Sequence, residues 1–107
     1  MTVLQANPMT ALADPTRQRI VEMLASGALS SGEIAGQFAL SAPAISQHLK
    51  ALKQARLVRV RADKQRRIYT LDPDGLDEVA AWVDRIRAFW NPKLDALEAA
   101  LKRRDVP

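Results

Sequence analysis

The most informative hydrophobic pattern lies between Ser41 and Arg56, where apolar residues recur at helical spacing. Ile45, Leu49 and Leu52 would share one narrow face of a helix that begins after a capping serine. The other side carries hydroxyl, amide and ammonium groups and no acid. Its residues are Ser46, Gln47, Lys50, Lys53 and Gln54. Such a face could read base edges in a DNA major groove, because Gln can bond adenine bidentately and Lys can reach guanine or a phosphate. Taken alone, the pattern fits an ordinary surface helix equally well.

Three shorter helices are predicted before this one. The first begins near Pro8. Asp14 and Pro15 supply a capping side chain and a first helical residue for the second helix, which should run to about Ser26. Its larger apolar residues would point inward and Arg17 outward.

The third helix should be joined tightly to the fourth. A capping box in Ser30–Glu33 predicts its start, and it should end near Phe38. Only two residues then separate it from the capping Ser41. Two helices joined so closely, the second polar and cationic on its outer face, form a helix-turn-helix.

Beyond the fourth helix the period changes from helical to alternating. Valines alternate with Arg59 and Arg61, and a second β-rich run covers residues 67–71 after a turn across 63–66. This predicts a two-stranded hairpin with a cationic tip, suited to phosphates or a minor groove. An edge hairpin protected from aggregation by its charges is the alternative. The DNA interpretation is favoured because helix and hairpin are adjacent and both cationic.

The last helix begins at Asp72-Pro73, and the acids in its first turn complement the helix dipole. Apolar residues then recur by threes and fours as far as Leu101, and Asn91-Pro92 predicts a kink or a break. The stripe exceeds what a small domain can cover, so we expect a dimer seam; covering the chain's own first helix is the competing use. The expected interface residues are Leu4, Met9, Leu12, Val83, Ile86, Trp90, Leu94, Leu97 and Leu101.

The charge is concentrated in the middle of the chain. The 107 residues carry a formal net charge of +4. Residues 41–71 hold eight cations and one anion, whereas the rest holds eight cations and eleven anions. A basic middle in a slightly acidic chain predicts a polyanionic partner at one face.

Composition narrows the chemistry further. The absence of cysteine excludes disulfides and thiolate metal sites and makes a reducing cytoplasm a natural location. There is no signal-peptide pattern at the start and no apolar run of membrane-spanning length. An enzyme is the weakest hypothesis, because neither a phosphate-binding loop nor a catalytic triad can be assembled.

Three segments, Ala13–Arg17, Ser46–Leu52 and Arg67–Leu71, resemble the ArsR/SmtB family of bacterial winged helix-turn-helix repressors, and the resemblance covers essentially the whole chain. It implies a homodimer built by the first and last helices that covers an inverted repeat in a promoter, usually that of its own operon. The Phe89-Trp90 pair resembles a non-metal-sensing subgroup. Lys64-Gln65 stands where the family commonly has glycine at the tip of the wing.

Metal sensing, which many members of that family perform, is not expected here. The cysteine pair of metal-sensing members would fall within Ser31–Phe38, which contains no cysteine. On the last helix, Asp95 and Glu98 have no histidine beside them. His48, the only histidine, should lie half inward as a packing and hydrogen-bonding residue.

The predicted fold is mainly α with a small β-hairpin: a winged helix-turn-helix of four helices, two strands and a last helix, dimeric through the first and last helices. One domain spans residues 1–107, with 72–104 as the dimerisation helix. The predicted function is that of a sequence-specific, autoregulating transcriptional repressor that binds a palindromic operator as a homodimer. The alternatives are a winged-helix module that binds another protein and an architectural DNA binder. The expected partners are double-stranded DNA and a second copy of the chain, without cofactor, metal or membrane, and no residue set identifies an effector.

Candidate DNA contacts fall into two groups by chemistry. Base edges would be read by Ser46, Gln47 and Lys50. Small residues near the helix start would permit close approach or touch a thymine methyl, and the helix start capped by serine would present amides to a phosphate. This start comprises Ser41, Ala42 and Ala44. Phosphate or minor-groove contacts are assigned to Arg17, Lys53, Arg59, Arg61, Lys64, Arg66 and Arg67. Either of the last two could instead serve the fold, and Tyr69 should belong to the core.

Overall fold

The computed structural model describes residues 7–105, and at positions 91, 93, 94, 104 and 105 it describes the backbone only. The predicted winged helix-turn-helix is confirmed, with one strand more than expected. The elements are α1 (Pro8–Ala11), α2 (Pro15–Leu24), β1 (Leu29–Ser30), α3 (Ser31–Ala35), α4 (Ala42–Gln54), β2 (Val58–Asp63), β3 (Arg66–Leu71) and α5 (Pro73–Asp105).

Side-chain caps begin α2, α3 and α4. Asp14 Oδ1 accepts backbone N–H groups of the first turn of α2 at 2.8 and 3.1 Å. Ser30 Oγ accepts the Glu33 N–H at 3.1 Å, and Glu33 Oε1 accepts the Ser30 N–H at 2.8 Å, which completes the capping box before α3. Ser41 Oγ accepts an N–H of the first turn of α4 at 3.2 Å. The helix starts are therefore where the sequence predicted them, because each cap satisfies donors that helix geometry leaves unpaired.

The predicted end of the third helix was wrong, and the last helix does not break. The helix α3 stops at Ala35 rather than near Phe38, because the Gln37 and Phe38 N–H groups bond carbonyls three residues back, at 3.0 and 3.2 Å, and tighten the chain into turns. At 91–92, where a kink or a break was predicted, the helix does not break, since the 33-residue α5 includes Pro92. A proline removes one helical hydrogen bond, and the long arms on both sides carry enough others to remain helical.

A third strand extends the predicted hairpin. The sheet order is β1-β3-β2, and Leu29 pairs with Tyr69 in an antiparallel register. With only two residues, β1 has no alternating pattern that the sequence could display. The hairpin itself closes between Asp63 and Arg66 over two residues, with Lys64 at a φ of 61°. Glycine is preferred at such a position, so a lysine there is strained.

The core lies between the helix-turn-helix and one face of the sheet. The apolar face of α4 is buried as predicted, and so is Tyr69. The most deeply buried large side chains are Ile20, Ile34, Leu52, Leu57 and Val58.

A close approach between the end of α4 and the start of α5 fixes how α5 leaves the domain. The Gly75 N–H donates to the Arg56 carbonyl at 2.7 Å. A side chain at Gly75 would collide with the backbone, because a Cβ there would lie 2.7 Å from the Ala55 carbonyl oxygen. Arg56 itself has a φ of 59°, and the Leu57 N–H bonds the Leu52 carbonyl at 3.0 Å, which is the Schellman ending of α4.

The molecule is elongated because α5 projects from the domain. Its radius of gyration is 19.6 Å and its extents are 72 × 33 × 23 Å, whereas a globular chain of this length has a radius of gyration of about 13 Å. The helix α1 packs on α5. Much of the apolar stripe beyond that contact is exposed in the single chain, including Trp82, Ile86, Phe89, Trp90, Leu97 and Leu101.

Candidate nucleic-acid interface

The outer face of α4 is accessible over its full length. Ser46, Gln47 and Lys50, which were predicted to read bases, are all exposed. Ala42 is exposed as well, and Ala44 is partly covered. Because Ile45 and its apolar neighbours hold the opposite face in the core, the polar face keeps a fixed orientation toward solvent.

One side of this face is a surface recess of about 520 Å³ between α2 and α4. Arg17 enters it from α2, and Gln47, Lys50 and Gln54 enter it from α4. Gln54 is not one of the contacts predicted from the sequence. Its spacing of seven residues from Gln47 is the signal that places both on one face of a helix.

The sequence suggested that Arg17 points freely outward, and the structure shows that it does not. It is half-buried, and its Nε donates to Nδ1 of His48 at 3.1 Å. That bond requires the ring hydrogen of His48 to lie on Nε2. His48 is therefore the half-inward hydrogen-bonding residue that was expected, and its partner could not be read from the sequence because the two lie 31 residues apart.

Asp14 completes this cluster at the start of α2. Its Oδ1 lies 4.0 Å from Nδ1 of His48. Partial burial would by itself raise the pKa of Asp14, but hydrogen bonds from the Arg17 and Thr16 N–H groups and the nearby positive charge outweigh it. The pKa is lowered as a result, and the carboxylate stays ionised while it caps the helix.

The other side of the α4 face is a second recess of about 530 Å³ toward the hairpin. Ala42 and Ser46 line it from α4, and Arg67 lines it from β3. The sequence left the roles of Arg66 and Arg67 open. Arg67 faces α4 across this recess.

Two of the predicted phosphate-binding arginines are engaged within the fold. Arg59 Nε lies 3.4 Å from Oδ1 of Asp72, which is buried and caps α5 by accepting the Asp74 N–H at 2.9 Å. Arg66 lies 3.6 Å from Glu33 of the capping box. Hydrogen bonds from the Ser30 N–H and hydroxyl lower the pKa of Glu33, and the charge of Arg66 adds to this. Both arginines are more than half exposed, so these pairs are weak enough for a phosphate to compete.

The remaining predicted cations of residues 41–71 form no ion pair with any carboxylate described in the structure. Arg61 shares one sheet face with Arg59, as the alternation predicted, since their cross-strand partners, Ile68 and Thr70, lie two residues apart in β3. The unpaired set consists of Lys50, Lys53, Arg61, Lys64 and Arg67.

Known proteins share both the sequence and this architecture. Residues 14–60 match the family model described as bacterial regulatory protein, arsR family. The chain is 52% identical over 84 residues to the HTH-type transcriptional regulator Rv2034 of Mycobacterium tuberculosis, an alignment that covers 78% of this chain and 76% of that protein. This chain belongs to the ArsR family.

Two further comparisons agree with the assignment to the ArsR family. The transcriptional repressor SdpR of Bacillus subtilis is 36% identical over 77 residues, which cover 72% of this chain and 86% of the repressor. A crystal structure described as a possible transcriptional regulator for arsenical resistance superposes with a TM-score of 0.71 at 41% identity, over 88% of this chain and 95% of that one. The resemblance stated from the sequence is confirmed: this ArsR-family chain is a transcriptional regulator and not an enzyme.

Two features of the described chain concern metals and membranes. Within residues 7–105, no group of three or more His, Cys, Asp or Glu side chains is placed to hold a metal ion. Neither α5 nor any other described helix is long and apolar enough to cross a bilayer.

Proposed function

We propose that this ArsR-family regulator is a homodimeric repressor that binds an imperfect palindrome in its own promoter in the cytoplasm. The observation that carries the proposal is the exposed polar face of α4, flanked on one side by Arg17 and on the other by Arg67. A rigid helix whose polar face lies between two cations suits a major groove, because the groove presents base edges between two phosphate backbones.

Base reading is assigned to the exposed centre of α4. Gln47 can pair with adenine, Lys50 with guanine, and Ser46 with either type of base. Ala42 and Ala44 leave room for close approach at the start of the helix. Beside them, the amides capped by Ser41 could meet a phosphate.

Phosphate contacts are ranked by what the fold leaves available. Lys53, Arg61, Lys64 and Arg67 have no ion-pair partner among the described residues and are the first candidates. Arg59 and Arg66 would have to exchange a carboxylate for a phosphate, so we expect smaller contributions from them.

Dimerisation is assigned to α1 and the stripe of α5. Met9 and Leu97, which are 40% and 57% exposed, represent the apolar surface that a second copy would cover. Leu12 and Val83 are partly covered within the single chain. The proposed members Leu4 and the Leu94 side chain lie outside the described residues. The set that remains is Met9, Leu12, Val83, Ile86, Trp90, Leu97 and Leu101.

The operator follows from this symmetry. A twofold dimer would present two α4 helices about 34 Å apart, one turn of DNA, so each half of the palindrome would meet one of them. The assignment as a repressor is supported by the similarity to SdpR, which is named a transcriptional repressor. No cofactor is required by this mechanism, and no effector is assigned.

The proposal is tested by binding to the protein's own promoter, compared with scrambled DNA of equal length over a salt series. We expect a large preference for the promoter and two subunits per palindrome. Equal and steeply salt-dependent binding to both DNAs would indicate an architectural binder or a distant target. No binding to either would favour the protein-binding alternative.

A further inference from the structure

The guanidinium of Arg17 is held at one edge and available at the others. Its Nε is occupied by His48 at 3.1 Å, while the two terminal nitrogens carry four further N–H donors. The described carboxylates form no ion pair with this guanidinium. The backbone N–H of Arg17, by contrast, donates to Asp14 Oδ1. Since the side chain lines the recess between α2 and α4, the free donors belong to a surface that faces solvent.

The groups that line this recess beside α4 are those expected of a phosphate-binding site. Arg17 and Lys50 contribute two cations, and Gln47 and Gln54 contribute amide donors. The described part of this recess contains no acid. A guanidinium whose two terminal nitrogens are free can bind phosphate oxygens bidentately through that edge, provided that its orientation is fixed.

We infer that His48 is a positioning residue that orients Arg17 toward a DNA phosphate next to the base read by Gln47, an inference that rests on the proposed function. His48 belongs to α4, whereas Arg17 belongs to α2. Their hydrogen bond therefore ties a backbone-binding cation to the reading helix itself. The Arg17 side chain then keeps a fixed position relative to α4, so that its phosphate contact and the base contacts of α4 form together.

Two substitutions of His48 separate positioning from packing. In His48→Asn the side-chain oxygen lies close to the place of Nδ1 and can still accept from Arg17, whereas in His48→Gln the amide reaches past it. Both are neutral and polar, so a role in packing alone would not rank them this way. Arg17→Gln removes the cation and provides the reference for complete loss of the contact.

The measurement is fluorescence anisotropy of the full chain with a labelled duplex of mixed sequence over a salt series, because a phosphate contact does not depend on sequence. Arg17→Gln should weaken binding roughly tenfold at low salt and reduce the slope of log K against log salt by about one unit. His48→Gln should cause a large part of the same loss, and His48→Asn should recover most of it. In the Arg17→Gln background, His48→Gln should have no further effect.

The possible outcomes distinguish the two proposals. If the wild type binds neither this duplex nor the promoter fragment, the proposed function is wrong and this inference falls with it. If the wild type binds and Arg17→Gln lowers the salt slope, but His48→Gln does not, or its effect adds independently to that of Arg17→Gln, only the positioning role is wrong. Thermal unfolding of each variant supplies the structural readout: equal destabilisation by Asn and Gln with an unchanged salt slope would also overturn the inference.

Discussion

Single residues in the basic middle of the chain differ in whether the fold engages their charge. Arg59 and Arg66 have carboxylates within 3.4 and 3.6 Å, whereas the exposed Lys50 and Arg67 line the two recesses beside α4. The same formal charge therefore has two roles: in Arg59 and Arg66 it ties the hairpin to the rest of the domain, and in Lys50 and Arg67 we propose that it attracts DNA.

The base-reading role of Gln47 can be tested by one truncation. Gln47→Ala should cost roughly 1–3 kcal/mol of operator binding and relax the preference at one base position. Gln37→Ala is the matched control, because Gln37 is exposed beyond α3 and outside both recesses. Binding to an operator set with single-base changes measures both variants. An unchanged preference profile for Gln47→Ala would mean that another residue of α4 reads that base.

Gly75 should be the least replaceable glycine of the described chain. Gly75→Ala places a methyl group 2.7 Å from the Ala55 carbonyl oxygen, and overpacking against backbone costs about 1–3 kcal/mol. Gly36→Ala is the control, since a methyl there lies 3.5 Å from its nearest neighbour and Gly36 has an ordinary helical φ of −64°. That control should be neutral or stabilise by about 0.5 kcal/mol. Urea unfolding compares the two, and equal stability would contradict the close approach of α4 and α5.

At the scale of elements, the capping side chains decide where the helices begin. The cap of α2 should depend on pH because its pKa is lowered from the ordinary value of 3.8. Asp14→Ala should cost about 1 kcal/mol at neutral pH. A carboxyl whose folded pKa is depressed stabilises above its unfolded pKa, so the cost should shrink as pH falls below about 4. Ser41→Ala removes a cap that does not titrate, and its cost in urea unfolding should stay constant over the same range. A pH-independent cost for Asp14→Ala would show that its charge is irrelevant.

The wing turn combines a strained backbone with a useful charge. Lys64 has a φ of 61°, which costs a residue with a side chain on the order of 1 kcal/mol. Lys64→Gly should therefore unfold at a slightly higher urea concentration, yet bind DNA with a salt slope smaller by up to about one unit. Lys64→Asn tolerates the same backbone without the charge and should share the loss of slope. Unchanged DNA binding in both variants would remove the wing tip from the interface.

At the scale of the whole molecule, the projecting α5 carries the apolar surface assigned to the dimer. Leu97→Glu should yield monomers, because a buried unpaired carboxylate is costly in an apolar seam. It should also weaken operator binding, since each monomer contacts one half-site. Ala99→Glu introduces the same charge two residues away on the opposite side of α5 and should remain dimeric. Sedimentation and promoter binding measure both variants. A dimeric Leu97→Glu protein would move the interface elsewhere.

Much of the architecture was readable from the sequence because it is encoded locally. The caps at Asp14, Ser30 and Ser41 specify helix starts through hydrogen bonds within three residues, and the spacing of Ile45, Leu49 and Leu52 specifies which face is buried. The change from helical to alternating hydrophobic spacing after α4 predicted the hairpin, because this pattern is also local.

Only the tertiary structure decided the contacts between residues distant in the chain. The two-residue β1 exists because β3 offers it backbone partners, and α5 remains helical through Pro92 because its neighbouring turns supply the hydrogen bonds. The bond between Arg17 and His48, and the ion pairs that engage Arg59 and Arg66, join different elements. Local pattern determined which elements form and which face of α4 is polar, whereas long-range packing determined which cations remain available, because a charge is neutralised by whatever the fold brings within reach.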